Sequence, residues 1–280
     1  MAILTRAFIQ DTIDIHALDA AVAATVARAT ENPKTLFLFM QRYASWNGYA
    51  GPLVAELAGK IGQCRDMFFD PKEPVEVFAD RATEVASLVF YATIDEHRDR
   101  EYAVSHRSLA QATLKGIATF YRITPEEQLR LSVSPRWLPG LVADTADGYA
   151  HITQHIDNVV EALGFHIASV MFAAREYRVL DTVLRERCPD LTDYLKKIPS
   201  SIGGKNLPAY AWIEIHAVGE VEEDHAYGAF AALDLASGYV RDKDEADVRK
   251  QALRGYRRFA DLQSTFFKHV DLDCAAEANS

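Results

Sequence analysis

Two histidines and a dense set of carboxylates share one stretch of this chain, Glu214-Ile215-His216-Ala217-Val218-Gly219-Glu220-Val221-Glu222-Glu223-Asp224-His225. It lies inside an otherwise apolar segment from Trp212 to Tyr239. Neutral imidazole and carboxylate are the side chains that hold iron, manganese or zinc. Glu222 and His225 are spaced i, i+3, so on a helix they project from one face. A Glu-x-x-His pair on an inward-facing helix is a recurring ligand unit of dimetal bundles. His216 and His225 are nine residues apart. At ~100° per residue that puts them on opposite faces of a regular helix, with Glu220 and Glu223 on the His216 side. The two sets converge only if the helix is interrupted, and Gly219 is where a break or π-bulge is expected.

Two further segments carry histidine or carboxylate within apolar surroundings. One runs from Leu88 to Leu114 and holds Asp95-Glu96-His97-Arg98-Asp99 and Ser105-His106-Arg107. The other runs from Tyr149 to Tyr177 and holds His151, His155, Glu161, His166 and Glu176. Buried ionised groups are costly unless paired or bound to metal, so a cluster of them on inward faces marks a candidate site. Single histidines are more commonly hydrogen-bonded or surface residues, the reading taken for His151, His155 and His269. Asp95, His97 and Arg98 read as a solvated helix end, and Glu220, Glu223 and Asp224 as the wet face of their helix.

The elements that must position these groups are helical. Ile13 to Ala29 is an Ala/Val-rich helical stretch stopped at Asn32-Pro33. Leu36 to Ile61 has apolar residues at helical spacing, with a kink expected at Gly48, Gly51 and Pro52. Pro71 to Pro74 form a loop, and Pro74 opens a helix running to about Arg98. Ser105 caps a helix over His106 to Tyr121. Thr124-Pro125-Glu126-Glu127 is a second start signal. Leu141 to Arg187 is a long helical region with one break. A connection marked by Pro189, Pro199 and Gly203-Gly204 includes a short helix near Leu191 to Lys197, and Glu245 to Val270 is the last helix. Helices with short connections and no sheet predict an all-α, single-domain helical bundle over residues 1–280. In that reading the N-terminal helix (about 1–33) and the C-terminal helix (about 243–280) are peripheral to the core.

Composition narrows the class. The 280 residues are 49% hydrophobic and 25% charged, with a net charge of −10 from 30 basic and 40 acidic residues. That is globular composition without the clustered basic face of a nucleic-acid binder. No stretch reads as a membrane span, and Met1 to Asp11 lacks the pattern of a signal peptide. Cys64, Cys188 and Cys274 are odd in number and widely spaced, which fits a reducing, cytoplasmic compartment.

The order and spacing of several short motifs resemble the heme-oxygenase-like, TENA/PqqC-type helical fold, and within it the heme-oxygenase-like di-metal oxidases. Phe39-Met40-Gln41-Arg42-Tyr43 leading to Leu53-x-x-x-Leu57-Ala58 is similar to that family's first long helix. Asp95-Glu96 followed by Ser105-His106-Arg107-x-Leu109 resembles its first Glu/His ligand pair, and Ala162-Leu163-Gly164 the start of its middle ligand helix. His216, Glu222 and His225 resemble its late His-x-x-x-(Asp/Glu)-x-x-His motif. The resemblance spans roughly residues 36 to 239. It implies an oxidoreductase of biosynthesis that uses Fe(II), two ions in this family, with manganese the other metal considered. O₂ would oxidise a small amine- or carboxylate-bearing metabolite. Carried over residue by residue, it makes Glu96, His106, His216, Glu222 and His225 metal ligands.

The chain departs from the family pattern twice. Two extra residues separate His216 from Glu222, and Val218-Gly219 read as a bulge that restores the spacing. The bridging glutamate of the middle helix falls near Val170, which cannot ligate. Glu161 is the nearest substitute and is included in the ligand set, with Glu176 the other. The same fold also houses cofactorless PqqC-like oxidases and TenA-like hydrolases with a cysteine nucleophile, for which Cys64 and Cys188 are the candidates. A heme-binding member would need a histidine near the N-terminal helix, and His16 reads as surface. A non-catalytic helical binding protein also fits the composition. The expected wall of the site is Phe39, Tyr43, Trp46, Phe90, Phe165 and Trp212, and a homodimer is the default oligomer.

Overall fold

Helix boundaries in the computed structural model follow the capping chemistry of the sequence. The structure describes residues 2–68, 75–150, 155–218, 221–240 and 243–280, and within these the chain is almost wholly helical. The helices are α1 (Arg6–Thr12), α2 (Ile15–Ala29), α3 (Pro33–Asn47), α4 (Ala50–Gln63), α5 (Val75–His97), α6 (His106–Tyr121), α7 (Pro125–Leu131), α8 (Trp137–Ala150), α9 (Ile156–Arg187), α10 (Pro189–Lys197), α11 (Ala211–Ala217), α12 (Val221–Ser237) and α13 (Glu245–Ala278). Asn32 caps α3 by accepting from the Lys34 amide, with Pro33 at the first helical position. Ser105 caps α6 by accepting from the Ser108 amide. Thr124 and Glu127 form a reciprocal capping box at α7, with Pro125 in its first turn.

Several boundaries differ from the sequence reading. The stretch from Leu36 to Ile61 is two helices rather than one kinked helix. Gly48 ends α3, and Pro52 falls in the first turn of α4, where its missing amide is tolerated. Ala150 ends α8 and Ile156 begins α9, so the break expected between Leu141 and Arg187 lies between them. His151 and the Pro71–Pro74 loop lie outside the described residues. The connection after α10 contains a small antiparallel hairpin, β1 (Pro199–Ile202) and β2 (Lys205–Pro208), with Ser200 opposite Leu207. Its turn residues Gly203 and Gly204 have φ of 55° and 80°, a conformation that favours glycine.

The core is organised around α9 and α13, which pack against each other more extensively than any other pair of elements among the described residues. Their close approach depends on two glycines. A Cβ at Gly255 would sit 1.9 Å from the Glu161 carbonyl oxygen, and one at Gly164 would sit 2.0 Å from that of Ala252. Residues 243–280 are therefore not peripheral: Ala252, Tyr256, Phe266 and Val270 of α13 are fully buried. The N-terminal region is also integrated, with α2 packed on both α9 and α13. Among the described residues α9 is the one helix long and apolar enough to cross a membrane, and 61% of its apolar window is buried within the bundle. Around this pair, α11 and α12 pack on α9, α12 also on α5, and α5 on α4. That arrangement turns α5, α6, α11 and α12, which carry the histidine and carboxylate motifs, toward one interior region.

Candidate metal-binding site

The interruption expected near Gly219 is present. α11 ends at Ala217, Val218 caps it, and α12 starts at Val221; Gly219 and Glu220 lie outside the described residues. The break brings His216 onto the side of Glu222: His216 Nδ1 is 2.6 Å from Glu222 Oε1, and both are buried. The other carboxylate oxygen of Glu222 lies 3.9 Å from His225 Nδ1. Glu222 therefore stands between the two histidines that a continuous helix would have kept apart. Glu223 and Asp224 point to solvent as expected, and Glu223 pairs with Arg6.

The first pair of the resemblance joins them. Glu96, at the end of α5, and His106, at the start of α6, meet with Oε1 3.0 Å from Nδ1. Donor atoms of Glu96, His106 and His216 all lie within 4.8 Å of one another. Gly51 on α4 makes room for this corner, since a Cβ there would be 2.8 Å from the Glu96 Cβ. The His106 and His216 rings meet edge to face at 4.7 Å, and Tyr177 stacks on His216 at 4.3 Å, which fixes the imidazole planes.

Two carboxylates missed by the sequence reading stand behind the histidines. Asp99 Oδ2 lies 3.5 Å from His106 Nε2, while its other oxygen accepts from the amides of Glu101 and Tyr102. Asp95 Oδ2 lies 3.8 Å from His225 Nε2, and Asp95 is also paired with Arg100. Both aspartates are buried, so Asp95 does not belong to a solvated helix end; His97 and Arg98 do. A carboxylate beyond a ligating imidazole orients the ring and raises its basicity.

The middle helix contributes differently from the expectation. Glu161 does not join the cluster: its Oε2 accepts from Gln251 Nε2 at 2.7 Å, and Arg254 lies 3.6 Å away. It sits where α9 meets α13, on the flank away from the cavity. Val170 does face inward, as the spacing argument placed it, and so does His166, one turn earlier on the same face. His166 is fully buried with neither ring nitrogen hydrogen-bonded. Glu176 also faces the cavity, but its two oxygens are held by Tyr43 and Gln263.

These groups line one cavity of about 70 Å³, bounded by Trp46, Tyr149, Val170, Tyr177 and Phe259 as well as Glu96, His166, Glu176, His216, Glu222 and His225. Of the aromatics expected in its wall, Trp46 is there. Trp212 lines a smaller cavity of about 20 Å³ on the other side of Glu96. Phe39, Tyr43 and Phe165 are core residues, and Phe90 is 49% exposed.

The electrostatics separate the groups of the site. Burial disfavours a charged Glu96, but His106, His216 and His225 overcome it and hold the carboxyl down at about 2. Burial lowers His106 less than Glu96 and Asp99 raise it. Burial pushes His225 down, and pushes His166 down to about 3, which leaves His166 a neutral imidazole, the ligating form. Both ring nitrogens of His106, both of His166 and Nε2 of His225 are buried without a directed hydrogen bond. The 3.0 Å approach of His106 to Glu96 thus has the distance of a hydrogen bond and not its direction. Donor atoms of Glu96, His106 and His216 stand close enough together to share one ion, so the residues present fit a bound cation.

Cys64 and Cys188 lie outside the cavity wall, and burial raises both thiols, the opposite of an activated nucleophile. His16 is exposed. The chain matches no protein-family model, and no curated protein or solved structure matches it.

Proposed function

We propose that this chain is a nonheme iron oxidase or oxygenase that acts with O₂ on a small metabolite inside the bundle. The observation that carries the reading is the approach of Glu96, His106 and His216 to within 4.8 Å of one another, with Glu222 and His225 beside Glu96 and His216 in the wall of one buried cavity. Carboxylates and imidazoles suit Fe(II), Mn(II) or Zn(II), and a set that leaves positions open suits Fe(II) and O₂. The donors fall into two groups that share Glu222, with Glu96, His106 and His216 on one side and His225 on the other. His166 takes the place that the resemblance gives to a carboxylate of the middle helix. This division supports two metal ions per chain, as in the di-metal oxidases of heme-oxygenase-like fold. Bound iron would supply the redox chemistry that activates O₂.

The chain's own residues supply the rest. Asp99 and Asp95 orient His106 and His225, and Tyr177 keeps the His216 ring in its plane. Trp46, Tyr149 and Phe259 give the cavity an apolar wall that excludes water from the reacting centre.

Anaerobic Fe(II) titration of the metal-free chain, followed by O₂ exposure with optical spectroscopy, tests the proposal. Two irons per chain and an oxygen-dependent absorption band are expected. His225→Ala should lose metal-dependent O₂ consumption while keeping the helical circular dichroism of the parent. Absence of iron binding by the parent chain, or retained activity in the variant, would overturn the reading.

A further inference from the structure

Glu176 is the one carboxyl in the cavity wall that the metal reading does not use. It lies on α9 beside Tyr177, is 6% exposed, and is tied from two other helices. Tyr43 of α3 donates its hydroxyl to Oε2 at 2.7 Å, and Gln263 of α13 donates Nε2 to Oε1 at 2.8 Å. Both donors favour the ionised form. Among the described residues, no lysine, arginine or histidine is within ion-pairing distance of it. The neighbouring Arg175 is turned to Asp19 of α2. The other titratable groups that face it, Tyr43, Tyr177, Glu222 and Asp19, are acids. A carboxyl arranged for charge and buried without a cation is costly unless something supplies one.

We propose that Glu176 is the anchor for the ammonium group of the substrate, and that the substrate of this cavity is a small alkylamine rather than a carboxylic acid. The inference rests on the reading of the cavity as the substrate chamber and narrows it. Glu176 is the carboxyl of this wall that no proposed metal would neutralise, so an anionic head group placed beside it meets like charge. Leu53, Val54, Val170 and Ala173 offer apolar surface to a short alkyl chain. Burial pushes Glu176 up to about 7, so near neutral pH it is part protonated, and an arriving ammonium displaces that proton.

The test is calorimetric titration of the full-length, metal-free chain with n-butylamine, n-butanol and n-butyrate. Butylamine should bind at least tenfold more tightly than either analogue. At pH 6.5 its binding should release protons, read from buffers of different ionisation enthalpy. Glu176→Gln should weaken amine binding by roughly tenfold to a hundredfold, the range for a lost charged hydrogen bond. Tyr43→Phe removes one donor to the anion, so its amine binding should weaken at pH 7 and recover at pH 8.5, a shift that a purely structural role would not produce. Equal binding of the three ligands, no saturable amine binding, or unchanged amine binding by Glu176→Gln would each overturn the proposal. Iron titration separates it from the metal reading. Glu176→Gln should keep the parent's iron stoichiometry, and loss of iron together with amine would instead make Glu176 a ligand. A parent chain that binds amine but no iron would sink the iron reading and leave the ammonium anchor standing.

Discussion

Replacing Glu176 with glutamine should make the metal-free protein more stable at pH 8 and leave it nearly unchanged at pH 4. Burial pushes the Glu176 carboxyl from an ordinary 4.5 up to about 7. The folded state therefore holds a proton between those values that the unfolded chain has released. Stability falls with rising pH wherever the folded state binds more protons. The contribution is intact below pH 4.5 and is lost as pH rises through about 7. At about 1.36 kcal/mol per tenfold change in proton affinity, the full loss is about 3 kcal/mol. The group is buried, so solvent screening reduces this only in part. Glutamine keeps the shape and both neighbours: its amide oxygen can accept from Gln263, and its amide nitrogen can donate to the Tyr43 hydroxyl, which is donor and acceptor at once. Urea denaturation of parent and variant at several pH values measures the difference directly. The variant's advantage should open between pH 4.5 and 7 and reach about 3 kcal/mol at pH 8. A parent-minus-variant difference that stays flat across this range would refute the burial argument for Glu176. A variant more stable yet unable to hold an amine would show a binding group retained against the fold's own preference.

Other substitutions separate structural from ligating roles. His166→Leu removes two buried nitrogens that have no protein partner, so the metal-free chain should be unchanged or stabilised by about 1–3 kcal/mol in urea, while iron affinity falls at least tenfold. Destabilisation with unchanged iron affinity would make His166 a core residue only. Glu161→Ala should lose about 1 kcal/mol through its bond to Gln251 and leave iron stoichiometry unaltered; altered stoichiometry would return it to the ligand set. Gly255→Ala should destabilise by about 3 kcal/mol or more in urea, because the new methyl meets a backbone carbonyl rather than a side chain that can turn away. A loss below about 1 kcal/mol would mean that α9 and α13 can separate without penalty.

Local chemistry made much of the architecture legible. Ser105 and Thr124 are found as caps because capping depends on a side chain and an amide three residues away, both visible in sequence. The break between His216 and Glu222 follows from counting alone, since nine residues cannot put both histidines on one face of an unbroken helix. The hairpin was hidden because each strand has four residues and carries a proline, too short for an alternating pattern to show. Asp95 and Asp99 sit in a charged run that looks like a wet helix end. Only tertiary packing, which sets α6 and α12 against the end of α5, buries them behind histidines.

His166 is among the candidate residues of its segment but stands outside the ligand set that the resemblance implies, for a more instructive reason. Comparison of spacing fixes which face of the middle helix points inward, and Val170 does line the cavity. It does not fix which turn of that face carries the polar group. An α-helix offers an equivalent direction every 3 to 4 residues, displaced by about 5.4 Å along the axis. Moving the polar group from the level of Val170 to His166 keeps its direction and changes its height by one turn, and it exchanges a carboxylate for an imidazole that burial keeps neutral. A set with Glu96 and Glu222 but no third carboxylate carries one negative charge fewer than the ligand set that the resemblance would imply. Glu176, which faces the same cavity, is a third carboxyl in its wall, bound by Tyr43 and Gln263 rather than by a histidine. On the proposed reading, the interior keeps its count of carboxyls while one of them stands apart from the proposed metal ligands, where it can meet a cation that arrives from solution.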